Sequence, residues 1–168
     1  MKTNRIKQNI VALFRSKLNA RHKIIFDLGE STGLRVSDIV SLKKSDIEKE
    51  KPTIKEKKTG KSKRIYIPKK TREEMQKMSE KSKNEYIFYS PTSKSGHISR
   101  QAVWKAFKKA SQKAKATGNI APHSTRKDYA CKLLKKGKTF KYIQGKLNHT
   151  NSNDTLLYLL DELLREDK

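Results

Sequence analysis

The chain has 168 residues, with 41 Lys and Arg against 17 Asp and Glu, so its formal net charge is +24. Its longest apolar run, residues 156–160, is too short to span a membrane, and the N-terminus lacks the hydrophobic region of a secretory signal. The single cysteine excludes a disulfide framework and a cysteine-rich zinc site. These features predict an intracellular, cytoplasmic protein whose partner is a polyphosphate, namely nucleic acid.

Hydrophobic periodicity decides between a folded domain and a disordered basic tail. Only 33% of the residues are hydrophobic, which is close to the range of disordered chains. Yet apolar residues recur at helical spacing over residues 4–19, and a second helix follows that Gly33 ends. Ser37 is predicted to cap a third helix. Two short strands, Pro52–Glu56 and Arg64–Ile67, are expected around a turn at residues 58–61.

The second half of the chain is predicted to be almost entirely helical. The expected elements are a charged helix over 69–83, a short apolar run at 86–89, helices capped by Ser99 and Ser124, a short helix from Thr139, and a leucine-rich helix over 154–164. The fold class is therefore mainly α with a small antiparallel β-sheet (α+β), in one domain over residues 1–168.

The last helix carries a candidate nucleophile. At 100° per residue its leucines share one face, and Tyr158 lies on the other side beside Asp161 and Glu162. The leucines of that face are Leu156, Leu157, Leu159, Leu160, Leu163 and Leu164. A tyrosine outside the apolar face is either a solvated surface residue or a nucleophile.

Four short segments place cationic or imidazole side chains where an anion could bind. His123 and Arg126 lie at a helix N-terminus, whose free N–H groups favour a phosphate. Arg35 follows a tight turn, Lys58 lies in the hairpin, and His149 follows a short helix. Taken singly, each has a simpler explanation as a solvated charge or a local cap.

The order and spacing of these segments are more specific. In chain order they are Thr32-Gly33-Leu34-Arg35-Val36-Ser37-Asp38, Lys58-Thr59-Gly60-Lys61, His123-Ser124-Thr125-Arg126, Leu147-Asn148-His149 and Tyr158. Over about residues 6–164 this set resembles the catalytic domain of the tyrosine recombinases (phage integrase family), and the resemblance implies that fold.

The resemblance also implies a role for each site residue. Arg35 and Arg126 would bind the scissile phosphate, with Asp38 supporting the region of the first arginine, and His149 would donate a hydrogen bond to the phosphate. Lys58 would protonate the leaving 5′-oxygen, with His123 assisting proton transfer, and Tyr158 would attack to give a covalent 3′-phosphotyrosine. No cofactor or metal is expected, since no carboxylate cluster suited to two magnesium ions accompanies the set.

The chain departs from the family pattern in several places. Asn148 replaces a usual glycine, Thr125 replaces a usual leucine and is followed by Lys127 and Asp128, and Leu160 stands where a histidine is frequent. The first helix starts almost at Met1, so the N-terminal core-binding domain of most members is expected to be absent or on a separate chain. Without it, DNA binding is expected to be weak and salt-sensitive.

The predicted partners are double-stranded DNA and other protomers of a tetrameric synaptic complex, so the protein would associate with the nucleoid. The surface lysines expected to contact the DNA backbone are Lys61, Lys63, Lys105, Lys108, Lys109 and Lys113. Residues 154–168 hold 2 basic and 5 acidic residues, so this nucleophile helix and acidic tail is expected to dock on a basic surface of its own or a neighbouring protomer.

Three other functions compete with recombination. A DNA-binding regulator of recombinase fold would use the basic surface without cutting DNA. A basic nucleoprotein scaffold would not need the ordered motifs, and a type IB topoisomerase would use similar chemistry with different motifs. The complete set of six candidate residues favours a recombinase or integrase.

Overall fold

The computed structural model describes residues 3–149, 151, 153, 155, 156, 159 and 160. Within them the fold is mainly helical with one small antiparallel sheet, which confirms the predicted class. The helices are α1 (Gln8–Ser16), α2 (Ala20–Thr32), α3 (Val36–Val40), α4 (Lys69–Glu80), α5 (Arg100–Lys113), α6 (Pro122–Lys135) and α7 (Phe140–Leu147), with a 3₁₀ helix at Lys44–Ile47. The strands are β1 (Thr53–Lys55) and β2 (Ser62–Arg64).

Helix α2 lies at the centre of the fold and contacts α1, α3, α4, α5 and α6. Three buried phenylalanines join α1, α2 and α5: the ring of Phe14 lies 5.6 Å from that of Phe26 and 5.5 Å from that of Phe107. Tilted and edge-to-face contacts at such distances are favourable beyond the area that they bury. These contacts join α1, α2 and α5 at the centre of the hydrophobic core.

The close approach of α2 and α6 depends on small side chains. A Cβ atom on Gly29 of α2 would overlap the side chain of Thr125 of α6. The Thr125 hydroxyl also donates to the Pro122 carbonyl oxygen at 2.8 Å. A leucine at position 125, as in the family pattern, would not fit against α2 at this distance. Thr125 therefore brings the start of α6 close to the end of α2.

Residues 3–5 lie against α6 and belong to no helix or strand. Arg5 Nε donates to the Asp128 carboxylate at 2.8 Å, and Lys127 Nζ donates to the Thr3 carbonyl oxygen at 2.7 Å. Burial raises the pKa of Asp128 to about 6, and the hydrogen bond from Arg5 opposes that rise. The Lys127-Asp128 pair that departs from the family pattern thus holds residues 3–5 against α6.

Several predicted helix starts are wrong, because the residues near them make other contacts than the predicted capping hydrogen bonds. Helix α1 begins at Gln8 rather than residue 4, because residues 3–6 pair with α6 and the loop before it. Ser37 lies inside α3, and Arg35 occupies the cap position. Ser124 is not the cap of α6: Pro122 begins the helix, and the Ser124 hydroxyl accepts from the Ala121 N–H at 3.2 Å.

The second strand and the end of the chain also differ from expectation. Strand β2 covers Ser62–Arg64 rather than the predicted Arg64–Ile67. Among the leucines of the last predicted helix that the structure describes, Leu159 is buried but Leu156 and Leu160 are exposed. One of these three described leucines is therefore packed against the core and two are not. No helix in the described part of the chain is long and apolar enough to cross a membrane.

Candidate active site

A tight turn between α2 and α3 places Arg35. Gly33 ends α2 with φ +63°, a left-handed conformation that glycine adopts without strain. A Cβ atom at this position would overlap the ring of Tyr129, so both the backbone and the space above it require glycine. Leu34 is buried beneath the turn. Arg35 follows at once, and its position is thereby fixed relative to α6.

The Arg126 side chain joins two loops of the site. It extends from α6 and is only 1% exposed. One terminal nitrogen of its guanidinium donates to the Gly33 carbonyl oxygen, and the other donates to the Leu147 carbonyl oxygen. Arg35 lies two residues after Gly33, and His149 lies two residues after Leu147. Arg126 therefore brings the Arg35 turn and the His149 turn to one place.

His149 is oriented by the end of α7 and by a buried hydroxyl. Asn148 ends α7 with φ +48°, and the His149 N–H donates to the Gln144 carbonyl oxygen at 3.2 Å. The Nδ1 atom of the His149 ring lies 2.7 Å from the Thr155 hydroxyl, which is buried. A hydrogen bond at Nδ1 fixes the direction of the ring. Asn148, which replaces the usual glycine, keeps the left-handed turn because asparagine tolerates this conformation.

Position 148 gives a direct test of this local geometry. We expect Asn148→Gly to change the free energy of unfolding by less than about 0.5 kcal/mol, whereas Asn148→Ala should cost about 1 kcal/mol because alanine is strained at positive φ. Chemical denaturation measures both. Equal stability of the two variants would contradict the left-handed turn before His149.

The hairpin turn that carries Lys58 is bonded to the segment around Arg35. Arg35 Nη1 donates to the buried Glu56 carboxylate at 2.5 Å, and the Thr59 hydroxyl donates to the same oxygen at 3.0 Å. The Lys57 N–H donates to Asp38 Oδ1 at 3.0 Å. Burial raises the pKa of Asp38, while the hydrogen bond from the Lys57 backbone opposes this. Lys58 itself is exposed at the turn.

The prediction that Lys63 is a surface residue in contact with the DNA backbone is wrong. Lys63 is buried, and its ammonium donates to the Thr32 carbonyl oxygen at 2.7 Å and lies 5.5 Å from the centre of the Tyr129 ring. Burial, together with the positive charge of Arg126, lowers the pKa of Lys63 to about 7. Lys63 therefore stabilises the turn before Arg35 through its hydrogen bond to Thr32, and it does not lie on the surface.

The sequence contained a signal for the burial of Lys63. Lys63 alternates with Ile65 and Ile67, which are also buried, and it pairs with the buried Ile54 of β1. A period of two places all of these residues on one face of the hairpin. The lysine at this position is buried because a carbonyl oxygen and an aromatic ring lie within reach of its ammonium.

His123 and the remaining lysines lie on the surface. His123 is exposed as the second residue of α6, beside a cavity of about 360 Å³ that Trp104 and Arg100 of α5 also line. The other predicted DNA contacts are exposed, which is compatible with contact but does not test it: Lys61, Lys105, Lys108, Lys109 and Lys113. Glu56 is a site residue that the sequence analysis missed, and Tyr158 lies outside the described residues.

Comparison with known proteins shows the family of this chain. The model of the phage integrase family matches residues 1–162. The chain belongs to the phage integrase family. This integrase-family chain is 31% identical over 145 residues to tyrosine recombinase XerA of Pyrococcus horikoshii, a match that covers 83% of the chain and 50% of the relative. It is 28% identical over 153 residues to a tyrosine recombinase of Thermosipho africanus, covering 90% and 53%. It thus spans about half the length of these curated relatives.

Solved structures confirm the fold of the integrase-family chain. A crystal structure of XerA recombinase matches with a TM-score of 0.80 at 19% identity, covering 99% of this chain and 64% of that one. The lambda integrase catalytic core matches with a TM-score of 0.68 at 21% identity, covering 87% and 91%. The predicted tyrosine recombinase catalytic-domain fold is therefore correct.

Proposed function

We propose that this chain is the catalytic domain of a site-specific DNA recombinase or integrase. It cuts and rejoins DNA strands through a covalent 3′-phosphotyrosine intermediate. The observation that carries this proposal is the buried Arg126, because its two hydrogen bonds to the Gly33 and Leu147 carbonyl oxygens hold Arg35 and His149 around one place. Two guanidinium groups and an imidazole gathered in this way suit a phosphodiester whose charge increases during reaction.

The residues divide into those that bind phosphate and those that move protons. Arg35, Arg126 and His149 stabilise the negative charge that develops on the non-bridging oxygens. Because their supports are fixed before the substrate arrives, little reorganisation is needed during the reaction. Tyr158 attacks the phosphorus, Lys58 protonates the departing 5′-oxygen, and His123 assists proton transfer. The Tyr158–DNA diester keeps the energy of the broken bond, so a second 5′-hydroxyl can reverse the attack and exchange strands.

The net charge of +24 supplies the sequence-independent part of DNA binding. Exposed lysines of α5 and of the hairpin turn contact the phosphate backbone and position the duplex. We further propose that protomers act together as a tetramer on paired DNA sites and that the protein is associated with the nucleoid. Two of the similar solved structures are a lambda integrase dimer bound to a core site and a XerH recombinase bound to a palindromic substrate, which supports DNA and further protomers as partners.

A suicide substrate tests the cleavage activity. The probe is a pool of nicked duplexes with random sequence around the nick, so that a short 5′-hydroxyl fragment diffuses away after cleavage and the adduct is trapped. We expect the chain to form a covalent adduct that migrates slowly on a denaturing gel. In this adduct the 3′ end of the cut strand is attached to the protein. If the chain binds the pool but forms no adduct, it is a DNA-binding regulator instead of a recombinase.

A further inference from the structure

Glu56 is a buried carboxylate in the centre of the site that no step of the proposed mechanism uses. It follows β1 and is 0% exposed. Its Oε2 atom accepts hydrogen bonds from Arg35 Nη1 at 2.5 Å and from the Thr59 hydroxyl at 3.0 Å. Thr59 is the neighbour of Lys58 in the hairpin turn. One oxygen atom of Glu56 therefore connects the phosphate-binding Arg35 with the turn that carries the proton donor.

A second connection holds the other side of Lys58. The Lys57 N–H donates to Asp38 of α3 at 3.0 Å, so both neighbours of Lys58 are attached to the segment that begins with Arg35. Within the turn, the Gly60 N–H donates to the Glu56 carbonyl oxygen at 2.9 Å and the Glu56 N–H donates to the Lys61 carbonyl oxygen at 3.0 Å. The backbone on either side of Lys58 is thus fixed, while the Lys58 side chain remains exposed.

Stability alone does not account for this arrangement. A buried ion pair seldom contributes more than an apolar pair of similar volume, because both charges lose their hydration. In addition, Glu56 Oε1 has no hydrogen-bond partner within the part of the chain that the structure describes. A carboxylate that is buried with one oxygen unpaired costs free energy. Its benefit must therefore lie in the geometry that it imposes.

We propose that Glu56 is a positioning residue that couples Arg35 to the Lys58 turn. This inference rests on the proposed function. When phosphate binds Arg35, Glu56 holds the turn so that the Lys58 ammonium lies at the leaving oxygen. As the bond from Tyr158 Oη to phosphorus forms, the phenol proton of Tyr158 passes to His123 and the bond from phosphorus to the 5′-oxygen breaks. That oxygen keeps the electron pair and takes a proton from Lys58, which becomes a neutral amine.

A change of leaving group separates this role from general damage to the fold. In a duplex with sulfur in place of the bridging 5′-oxygen, the thiolate leaves without a proton and no longer needs Lys58. On the oxygen substrate we expect Glu56→Gln to slow cleavage about 10- to 100-fold, because a displaced proton donor loses part of the roughly 10²–10⁴-fold that general acid catalysis contributes. On the sulfur substrate this variant should cleave within about threefold of the wild type. Lys58→Ala should show the same pattern.

Two further variants keep the test decisive. Glu50→Gln makes the same charge change at an exposed position just before β1 and should cleave both substrates as the wild type does. Thr59→Val removes the hydrogen bond from the Thr59 hydroxyl to Glu56 Oε2 and the longer one, 3.3 Å, that this hydroxyl accepts from the Lys61 N–H, but it leaves the Arg35–Glu56 pair intact. It should slow cleavage of the oxygen substrate and be rescued by sulfur, so the proposal can be judged even if Glu56→Gln does not fold.

The outcomes distinguish this inference from the proposed function. If the wild type cleaves neither substrate, the proposed function fails. If the wild type cleaves both but folded Glu56→Gln or Thr59→Val slows both equally, or neither variant slows the oxygen substrate, then Glu56 does not position Lys58. Loss on oxygen with rescue on sulfur supports the coupling.

Discussion

Replacing Arg126 by alanine is expected to slow cleavage strongly and to destabilise the fold at the same time. The guanidinium is 1% exposed and donates to two buried carbonyl oxygens, those of Gly33 and Leu147. Hydrogen bonds from charged groups contribute about 1.5–3 kcal/mol each, so their loss with two carbonyls left unpaired should lower the free energy of unfolding by about 3–5 kcal/mol. Adduct formation should fall about a hundred- to a thousandfold, the effect of one lost transition-state donor.

Chemical denaturation and the suicide substrate measure the two parts of this prediction. Arg64→Ala, at an exposed arginine of β2, is the matched control and should change stability by less than about 0.5 kcal/mol. Arg126→Lys keeps the charge but provides no planar pair of donors, so it should recover part of the stability and little of the cleavage. An Arg126→Ala variant as stable as the wild type would contradict the role of Arg126 in joining the two turns.

The second large effect concerns Lys63 and pH. Its pKa in the folded protein is lowered from 10.5 to about 7, mainly by burial. Between pH 7 and pH 10.5, Lys63 binds a proton in the unfolded chain but not in the folded chain. The contribution of Lys63 to the free energy of unfolding therefore rises with pH across this window and is constant below it. The slope from this one group approaches at most about 1.4 kcal/mol per pH unit.

Lys63→Met removes this contribution and keeps an unbranched chain in the same space. We expect the stability of Lys63→Met relative to the wild type to be highest near neutral pH and below, and to decline by a few kcal/mol as pH rises from about 7 to 10. Taking the difference between the two proteins cancels groups such as Asp128 that titrate in both.

Lys61→Met serves as the control because Lys61 is exposed in the neighbouring turn, so this variant removes a lysine without changing a buried site. A pH-independent difference for Lys63→Met would show that the Lys63 ammonium is not held in a buried site. Urea denaturation at a series of pH values provides both curves.

The parts of the site that local sequence signals determine were predicted well. Gly33 ends a helix and fixes the turn before Arg35, and the structure has this turn where the sequence indicated it. Asn148 ends α7 just before His149 for the same local reason. The fold class followed from the hydrophobic periodicity, which the short sheet interrupts only once.

The parts that depend on tertiary contacts were not predicted. Glu56 is separated from Arg35 by 21 residues, and no local rule indicates that the two side chains meet. Lys63 was assigned to the surface because lysines are seldom buried, although the alternation with Ile65 and Ile67 indicated an inward position. The start of α1 was misplaced because Arg5 pairs with Asp128 across 123 residues.

The most direct test is to identify the residue that becomes attached to DNA. The trapped adduct is digested with protease and nuclease, and the modified peptide is sequenced by mass spectrometry, with Tyr158→Phe as a parallel sample. We expect a nucleotide linked through its 3′-phosphate to Tyr158 and no adduct in Tyr158→Phe. A nucleotide on any other residue, or an adduct that persists in Tyr158→Phe, would contradict the role of Tyr158 as the nucleophile.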